Sequence, residues 1–328
     1  MDHLLIPLNR QPPVRLSCTF IPCTSRLAPA NTLTIFLSGM DNPQKWWFPT
    51  ISCLSDLQGL TTPMLTYDRP GCGTTIDRNP DVEIPGRPRG HGRDLLDAAH
   101  DLRELVLAIG KLKLGIEEKD IGKLKIVFVA SSIGVAIARL YAAEYPKTVS
   151  GFLILDSAIA NSDTVSIFPD PDAPSFDEGK LPPGLTASMC RDARKKIGKV
   201  YHMMGPTKEG LWRGTISSLL PYADRPMLEG PTEGAPYVTV VEHDMEIFPK
   251  MVEKGLNVPE RLTRLYFNPC WHEYNLGLAK LTKQHLSKGP LEAKGSGHII
   301  HRDDPKLVAQ ELAEILDKLS LQGMASHI

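Results

Sequence analysis

Residues 125–146 read KIVFVASSIGVAIARLYAAEYP, and this stretch decides the fold. Lys125 to Val129 is short, apolar and β-branched, the composition of a strand buried on both faces. From Ile133 the apolar residues Val135, Ala136, Ile137, Leu140 and Tyr141 recur at helical spacing, and Pro146 stops them. A strand that turns into a helix within two or three residues makes a sharp bend, and the positions crowded by that bend must be small. In a small-x-Ser-x-Gly elbow these positions lie two before and two after the serine. For Ser132 they are Ala130 and Gly134; for Ser131 they would be Val129 and Ile133, both β-branched. Ser132 is therefore the candidate nucleophile.

The remaining text repeats the alternation. Paired edge strands are expected in the first 30 residues, with VRLSCTFIPC the clearest. NTLTIFLSG (31–39) and TPMLTYDRPGCG (62–73) read as strands ending in tight turns, with a helix in WWFPTISCLSDL between them. Residues 93–114 carry a helical apolar stripe, and VSGFLILD (149–156) is another buried strand. The rhythm breaks over 157–235, which opens with a Pro/Asp-rich run and is expected to be helical at 186–204 and 209–220. It resumes with YVTVVEHD (237–244), a helix near 271–285, a short strand at 289–295 and a last helix at 304–320. Asp303 or Asp304 is the expected cap of that last helix, with Pro305 in its first turn. Strands and helices in alternation imply an α/β fold with a mostly parallel, doubly wound sheet. The domain reading is a core over 1–156 and 236–328, with 157–235 inserted as a helical cap.

A serine hydroxyl needs a base to take its proton, and the base needs a third group to orient it. The expected order is Ser, acid, His. Of ten histidines, His298 follows a Gly295-Ser296-Gly297 loop directly after a predicted strand, which lets its ring swing over the sheet edge. His301, next to Arg302, is expected to face solvent or cap the last helix. Asp156 ends the strand after the elbow helix and is the first choice of acid; Asp244, ending the next strand, is the alternative. Its competing role is to cap a helix at 245–254. Oxyanions need preorganised N–H donors. The backbone of Ile133 supplies one, and the loop after the 31–39 strand supplies the second, at Met40.

The ordered set FLSGMD, TYDRPGCG, VASSIG, LILDS and GSGHIIHRDDP resembles the α/β-hydrolase family, from about residue 31 to 320. Two positions depart from the family pattern. The common His-Gly is Ser38-Gly39 here, and the first elbow glycine is Ala130. More narrowly, TVVEHDMEIF, WHEYNLGLAKLT and GSGHIIHRDDPKLVAQEL resemble fungal hydrolases of secondary-metabolite pathways. These include peroxisomal acyl-CoA hydrolases and proteins of host-selective-toxin clusters. That resemblance implies an acid after the strand following the elbow helix, which is Asp156 in this sequence.

Bulk properties narrow the function classes. The 328 residues carry a net charge of −1, so no basic field points to nucleic acid or anionic membrane. The longest apolar runs are too short to span a bilayer. MDHLLIPLNRQPP lacks a basic stretch followed by an apolar core, so no secretion signal is expected. Cys18, Cys23, Cys53, Cys72, Cys190 and Cys270 show no metal-like spacing, which suggests reduced thiols inside a cell. Neither a cofactor nor a metal is expected. The final Ser326, His327 and Ile328 form a variant of the Ser-Lys-Leu address, which implies a peroxisomal import receptor as partner; otherwise a cytoplasmic location is expected. Arg191, Arg194, Lys195, Lys196 and Lys199 could hold CoA phosphates or be a solvated helix face. QKWWFP (44–49) and Met203-Met204 could line an acyl pocket or be core packing, and DRPGCG (68–73) reads as a turn. The expected function is hydrolysis of a small-molecule ester or thioester, an acyl-CoA first. A CoA-independent esterase or lactonase is the alternative, and a binding protein or lyase on the same fold is the third reading.

Overall fold

A single eight-stranded sheet organises the chain in a computed structural model that describes residues 1–11, 13–23, 31–58, 62–231 and 234–325. Its strands are β1 (Asp2–Leu8), β2 (Val14–Ile21), β3 (Thr32–Leu37), β4 (Met64–Tyr67), β5 (Lys125–Ser131), β6 (Val149–Leu155), β7 (Tyr237–His243) and β8 (Ser287–Ala293). They lie in the order β1-β2-β4-β3-β5-β6-β7-β8. β2 runs antiparallel to both β1 and β4, and the other pairings are parallel. The central strands are apolar throughout because helices cover both faces. In β5 the pleat sends Ile126, Phe128 and Ala130 to one core and Val127 and Val129 to the other. The first core is roofed by α2 (Leu95–Ile109) and α3 (Ile133–Glu144), the second by α1 (Phe48–Gln58) and α7 (Pro305–Ala325).

Between β6 and β7 the chain forms α4 (Ala187–Tyr201) and a short helix over Ile216–Leu219. The helix expected over 209–220 is thus confined to four residues. Leu211–Trp212 instead pairs in parallel with Arg93–Asp94 at the start of α2. A Cβ at Gly214 would meet the Trp212 ring at 2.2 Å, so the backbone folds over its own indole there. The stripe at 93–114 ends as an α-helix at Ile109 and widens into a looser turn over Gly110–Leu114. The expected helix at 271–285 is α6 (Asn268–Leu278), followed by short 3-10 turns, and α5 is Ile247–Leu256. Asp304 caps α7 by accepting from Leu307 N–H, while Asp303 accepts from Gly297 N–H. The tripeptide Ser326, His327, Ile328 lies outside the described residues.

His301 corrects an expectation. It is fully buried rather than facing solvent, and its ring stacks on Trp47 with centroids 3.9 Å apart. Among the described residues neither of its ring nitrogens has a hydrogen-bond partner. Burial, with help from His298 and Arg302, pushes its pKa down to about 3, so the ring is neutral in the fold. Trp47 is itself core, and its indole N–H donates to Ser38 Oγ at 3.0 Å. Trp47 of QKWWFP therefore serves packing, and no residue of that stretch lines the cavity beside Ser132. Below about pH 6.5, the ordinary histidine value, the unfolded chain binds a proton that folded His301 refuses. Its contribution falls by roughly 1.4 kcal/mol per pH unit as pH drops from there toward the folded value, and is unchanged above. His301→Phe, which keeps the ring stack, is expected to lose less stability between neutral and acid pH than the parent in chemical denaturation. Equal acid sensitivity of the two chains would refute this account.

Candidate active site

Ser132 sits between β5 and α3 with φ +54°, a backbone region that side chains other than glycine rarely adopt. Packing holds it there. Ser132 N–H donates to Leu155 O at 3.1 Å, and a Cβ on Gly134 would lie 2.5 Å from Leu37 O and 2.8 Å from Ser38 O. Only glycine lets α3 approach β3 this closely. The bend turns Ser132 Oγ to His298 Nε2 at 3.0 Å, while Ser131 stays wholly buried at the strand end, its hydroxyl without a partner among the described residues.

His298 reaches this point on a loop fixed by Asp244. The Asp244 carboxylate accepts from Gly295 N–H, Glu246 N–H and Ile247 N–H, and its own N–H donates to Ser296 O. Asp244 therefore braces the loop and does not contact His298. The acid beside His298 is Asp156, whose Oδ2 lies 2.6 Å from His298 Nδ1. Burial pushes the Asp156 carboxyl up, but the charge and hydrogen bonds of two histidines outweigh it and hold its pKa down to about 2. An ionised carboxylate only accepts, so His298 Nδ1 carries a proton. In the neutral ring Nε2 is then the acceptor for the Ser132 hydroxyl.

The second histidine is His243, at the end of β7. Its Nδ1 lies 2.9 and 3.1 Å from the two Asp156 oxygens, and its Nε2 is 3.3 Å from Asn268 Oδ1. The Asn268 amide is oriented by Nδ2, which donates to Met245 O at 2.9 Å; a flipped amide would set two acceptors face to face. Both ring nitrogens of His243 thus face acceptors, an arrangement that favours the imidazolium. Burial works against that charge, but Asp156 and Asn268 outweigh it and raise its pKa above the ordinary histidine value. The rings of Phe248 and Trp271 lie at 4.1 and 5.2 Å from it. The sequence reading missed this residue by attending to its neighbour Asp244 in VVEHD. The available signal was the strand end beside Asp156.

The loop after β3 is braced as well. Arg69 donates to Ser38 O at 2.9 Å and Gly39 O at 2.7 Å, and it is paired with buried Glu209 at 2.5 Å. In a trans peptide C=O and N–H point opposite ways, so fixing Gly39 O toward Arg69 aims the Met40 N–H away from it. Among the described residues neither the Met40 nor the Ile133 N–H has a partner. Asp68, in the turn DRPGCG, accepts from the backbone of Gln44 and Thr74.

Ser132, His298, Met40 and Ile133 line one cavity of about 270 Å³. Its other walls come mainly from Ile159, Tyr201, Met203, Arg213, Phe267 and Trp271, so Met203 faces the cavity while Met204 is half exposed. Arg191 and Arg194 are occupied by Asp172 and Asp170, and Lys196 donates to Asn257 O. Among the described residues no group of three His, Cys, Asp or Glu could hold a metal, and no helix is long and apolar enough to cross a membrane.

A sharp serine turn at the edge of a mostly parallel sheet, with a histidine from its last loop, defines an α/β hydrolase. The chain belongs to the alpha/beta hydrolase family, whose model matches residues 34–311. Solved structures share the fold at low identity. A probable hydrolytic enzyme from Pseudomonas aeruginosa matches with TM-score 0.54 and 15% identity, over 95% of this chain and 93% of that one. Mouse alpha/beta hydrolase domain-containing protein 10 gives 0.52 and 12%, over 96% and 99%. A thermophilic esterase from Thermogutta terrifontis gives 0.50 and 15%, over 98% and 100%. No curated protein matches the chain.

His243 offers a direct check. Nitrogen-15 spectra at neutral pH are expected to show both of its ring nitrogens protonated. His243→Gln removes a cation beside Asp156, leaves the site more negative and strengthens proton binding there. The acid limb of the kcat/KM profile should move upward by about one pH unit. An unmoved limb, or a His243 ring carrying one proton, would contradict the assignment.

Proposed function

We propose that the protein is a serine hydrolase that cleaves a carboxylic ester or thioester through an acyl-enzyme. The reading is carried by the unbroken contact Ser132 Oγ–His298 Nε2–His298 Nδ1–Asp156, at 3.0 and 2.6 Å. In this mechanism Ser132 Oγ attacks the carbonyl carbon while His298 Nε2 takes its proton. The oxyanion is stabilised by the N–H groups of Ile133, at the N-terminus of α3, and of Met40. The carbon–oxygen or carbon–sulfur bond then breaks, and His298 returns its proton to the leaving group. Water attacks the acyl-enzyme with His298 again as base, regenerating Ser132 and releasing the acid. Asp156 orients the imidazole and stabilises its cation throughout.

Residues 157–235 act in this reading as a cap that shapes the apolar acyl pocket, with Ile159, Tyr201 and Met203 as contributors. The acyl-CoA form of the reading rests on the resemblance to fungal hydrolases and on the Ser326-His327-Ile328 tail. Within 191–199, Arg191 and Arg194 are engaged by carboxylates and Lys196 by a carbonyl, which leaves exposed Lys195 and Lys199 of that helix for a CoA phosphate. A peroxisomal setting in secondary metabolism belongs to the same form.

A panel of acyl-CoA thioesters and matched oxoesters tests the reading. Ser132→Ala is expected to abolish fluorophosphonate labelling, and Asp156→Asn to lower kcat by on the order of 10⁴-fold. His298→Ala should cost as much as Ser132→Ala, and the double variant no more, because the residues act as a unit. Labelling that survives Ser132→Ala would overturn the assignment. A thioester preference would favour the CoA form, and turnover of oxoesters alone would remove it.

A further inference from the structure

Arg213 follows the Leu211–Trp212 strand and lines the same cavity as Ser132 and His298. It is 4% exposed, yet it forms no ion pair among the described residues. Its Nη2 donates to His202 O at 3.0 Å and Gly205 O at 3.2 Å, tying down the turn after α4. Nε is buried with no partner among the described residues, and no hydrogen bond engages Nη1. The acids closest to it are occupied elsewhere. Glu209 is chelated by Arg69, and Asp41 accepts from the N–H groups of Lys208 and Glu209. Most of the remaining wall is apolar, including Met40, Ile133, Val200 and Phe267.

Tying a turn explains one nitrogen of this side chain, and a neutral amide would do it as well. It does not explain a guanidinium withdrawn from water at the edge of an apolar cavity without a counter-charge. Buried cations are retained where an anion completes them, and a guanidinium fork matches a carboxylate. We propose that Arg213 is a specificity residue that receives a carboxylate of the substrate, so that the preferred substrates are esters or thioesters carrying a second, free carboxylate. The half-esters and half-thioesters of dicarboxylic acids are the simplest members of this class. The assignment rests on reading Ser132 as the nucleophile of this cavity, and the test separates the two.

Binding is measured by calorimetry on the Ser132→Ala protein with monoalkyl esters of a ladder of dicarboxylic acids and with the matched dialkyl esters. The anionic monoester is expected to bind about tenfold or more tightly at the best chain length, as a charge-assisted contact in a dry site should give. Adding Arg213→Gln, which keeps a donor for the turn carbonyls, should shrink that preference to about twofold, and Arg213→Lys should retain part of it. With Ser132 intact, the preference should appear in KM more than in kcat. Equal binding of the two ester forms by the Ser132→Ala protein, or a preference that survives Arg213→Gln, would overturn the proposal. If Arg213→Gln does not fold, the comparison of the two ester forms decides alone. A binding preference without turnover of any ester or thioester would keep the carboxylate site and sink the hydrolase reading. Turnover without preference would do the reverse.

Discussion

The Asp156 carboxylate has no contact with water, and the candidate site is arranged around that fact. An isolated ion in such a place would be untenable, so it is matched by donors on both oxygens. His298 serves Oδ2, while the ring and the backbone N–H of His243 serve Oδ1. Removing one partner of a buried pair costs about 3–5 kcal/mol, which makes His243 a condition of the fold as much as of the chemistry. A protonated His243 would balance the Asp156 charge, so that the cluster would gain net positive charge only when His298 takes up a proton, the moment at which an oxyanion would form beside it.

The second anchor is the Arg69–Glu209 pair. It joins the loop after β3 to the segment between β6 and β7 and fixes the direction of two carbonyls. Gly39 belongs to the same arrangement, since a Cβ there would lie 2.7 Å from Asn42 Nδ2 and 3.2 Å from Ser132 Cβ. Ser38, where a histidine is common in the family, holds the other side of this loop through the Trp47 indole. The hydroxyl thus takes up a structural task without adding a charge next to Ser132.

What could be read from the chain alone follows from how local each constraint is. The choice of Ser132 over Ser131 depends on the size of residues two positions away, and the Gly-Ser-Gly loop before His298 announces its freedom to turn. Buried strands announce themselves by runs of β-branched residues. The extra histidine did not, because choosing His243 over Asp244 needs the phase of the pleat, set by the register of β7 on β6. Arg69 and Glu209 stand 140 positions apart, and no local pattern links them. His301 beside Arg302 looks exposed by its neighbours, yet its burial is decided by Trp47, far away in sequence. The stretch 209–220 failed as a helix for a related reason: Leu211–Trp212 finds its strand partner at Arg93–Asp94.

The Arg69–Glu209 link also sets an order of assembly. A chain emerging from the ribosome displays Ser132 and Asp156 early, with the loop after β3 already made. Until Glu209 arrives, however, the guanidinium that orients this loop lacks its counter-ion, and until His243 arrives the carboxylate lacks its cation. His298 comes last of the groups gathered around Asp156. About half of the chain's synthesis, the 166 positions from Ser132 to His298, therefore passes with Ser132 lacking its histidine contact, and the cluster comes into being only when the two halves of the sheet close on one another.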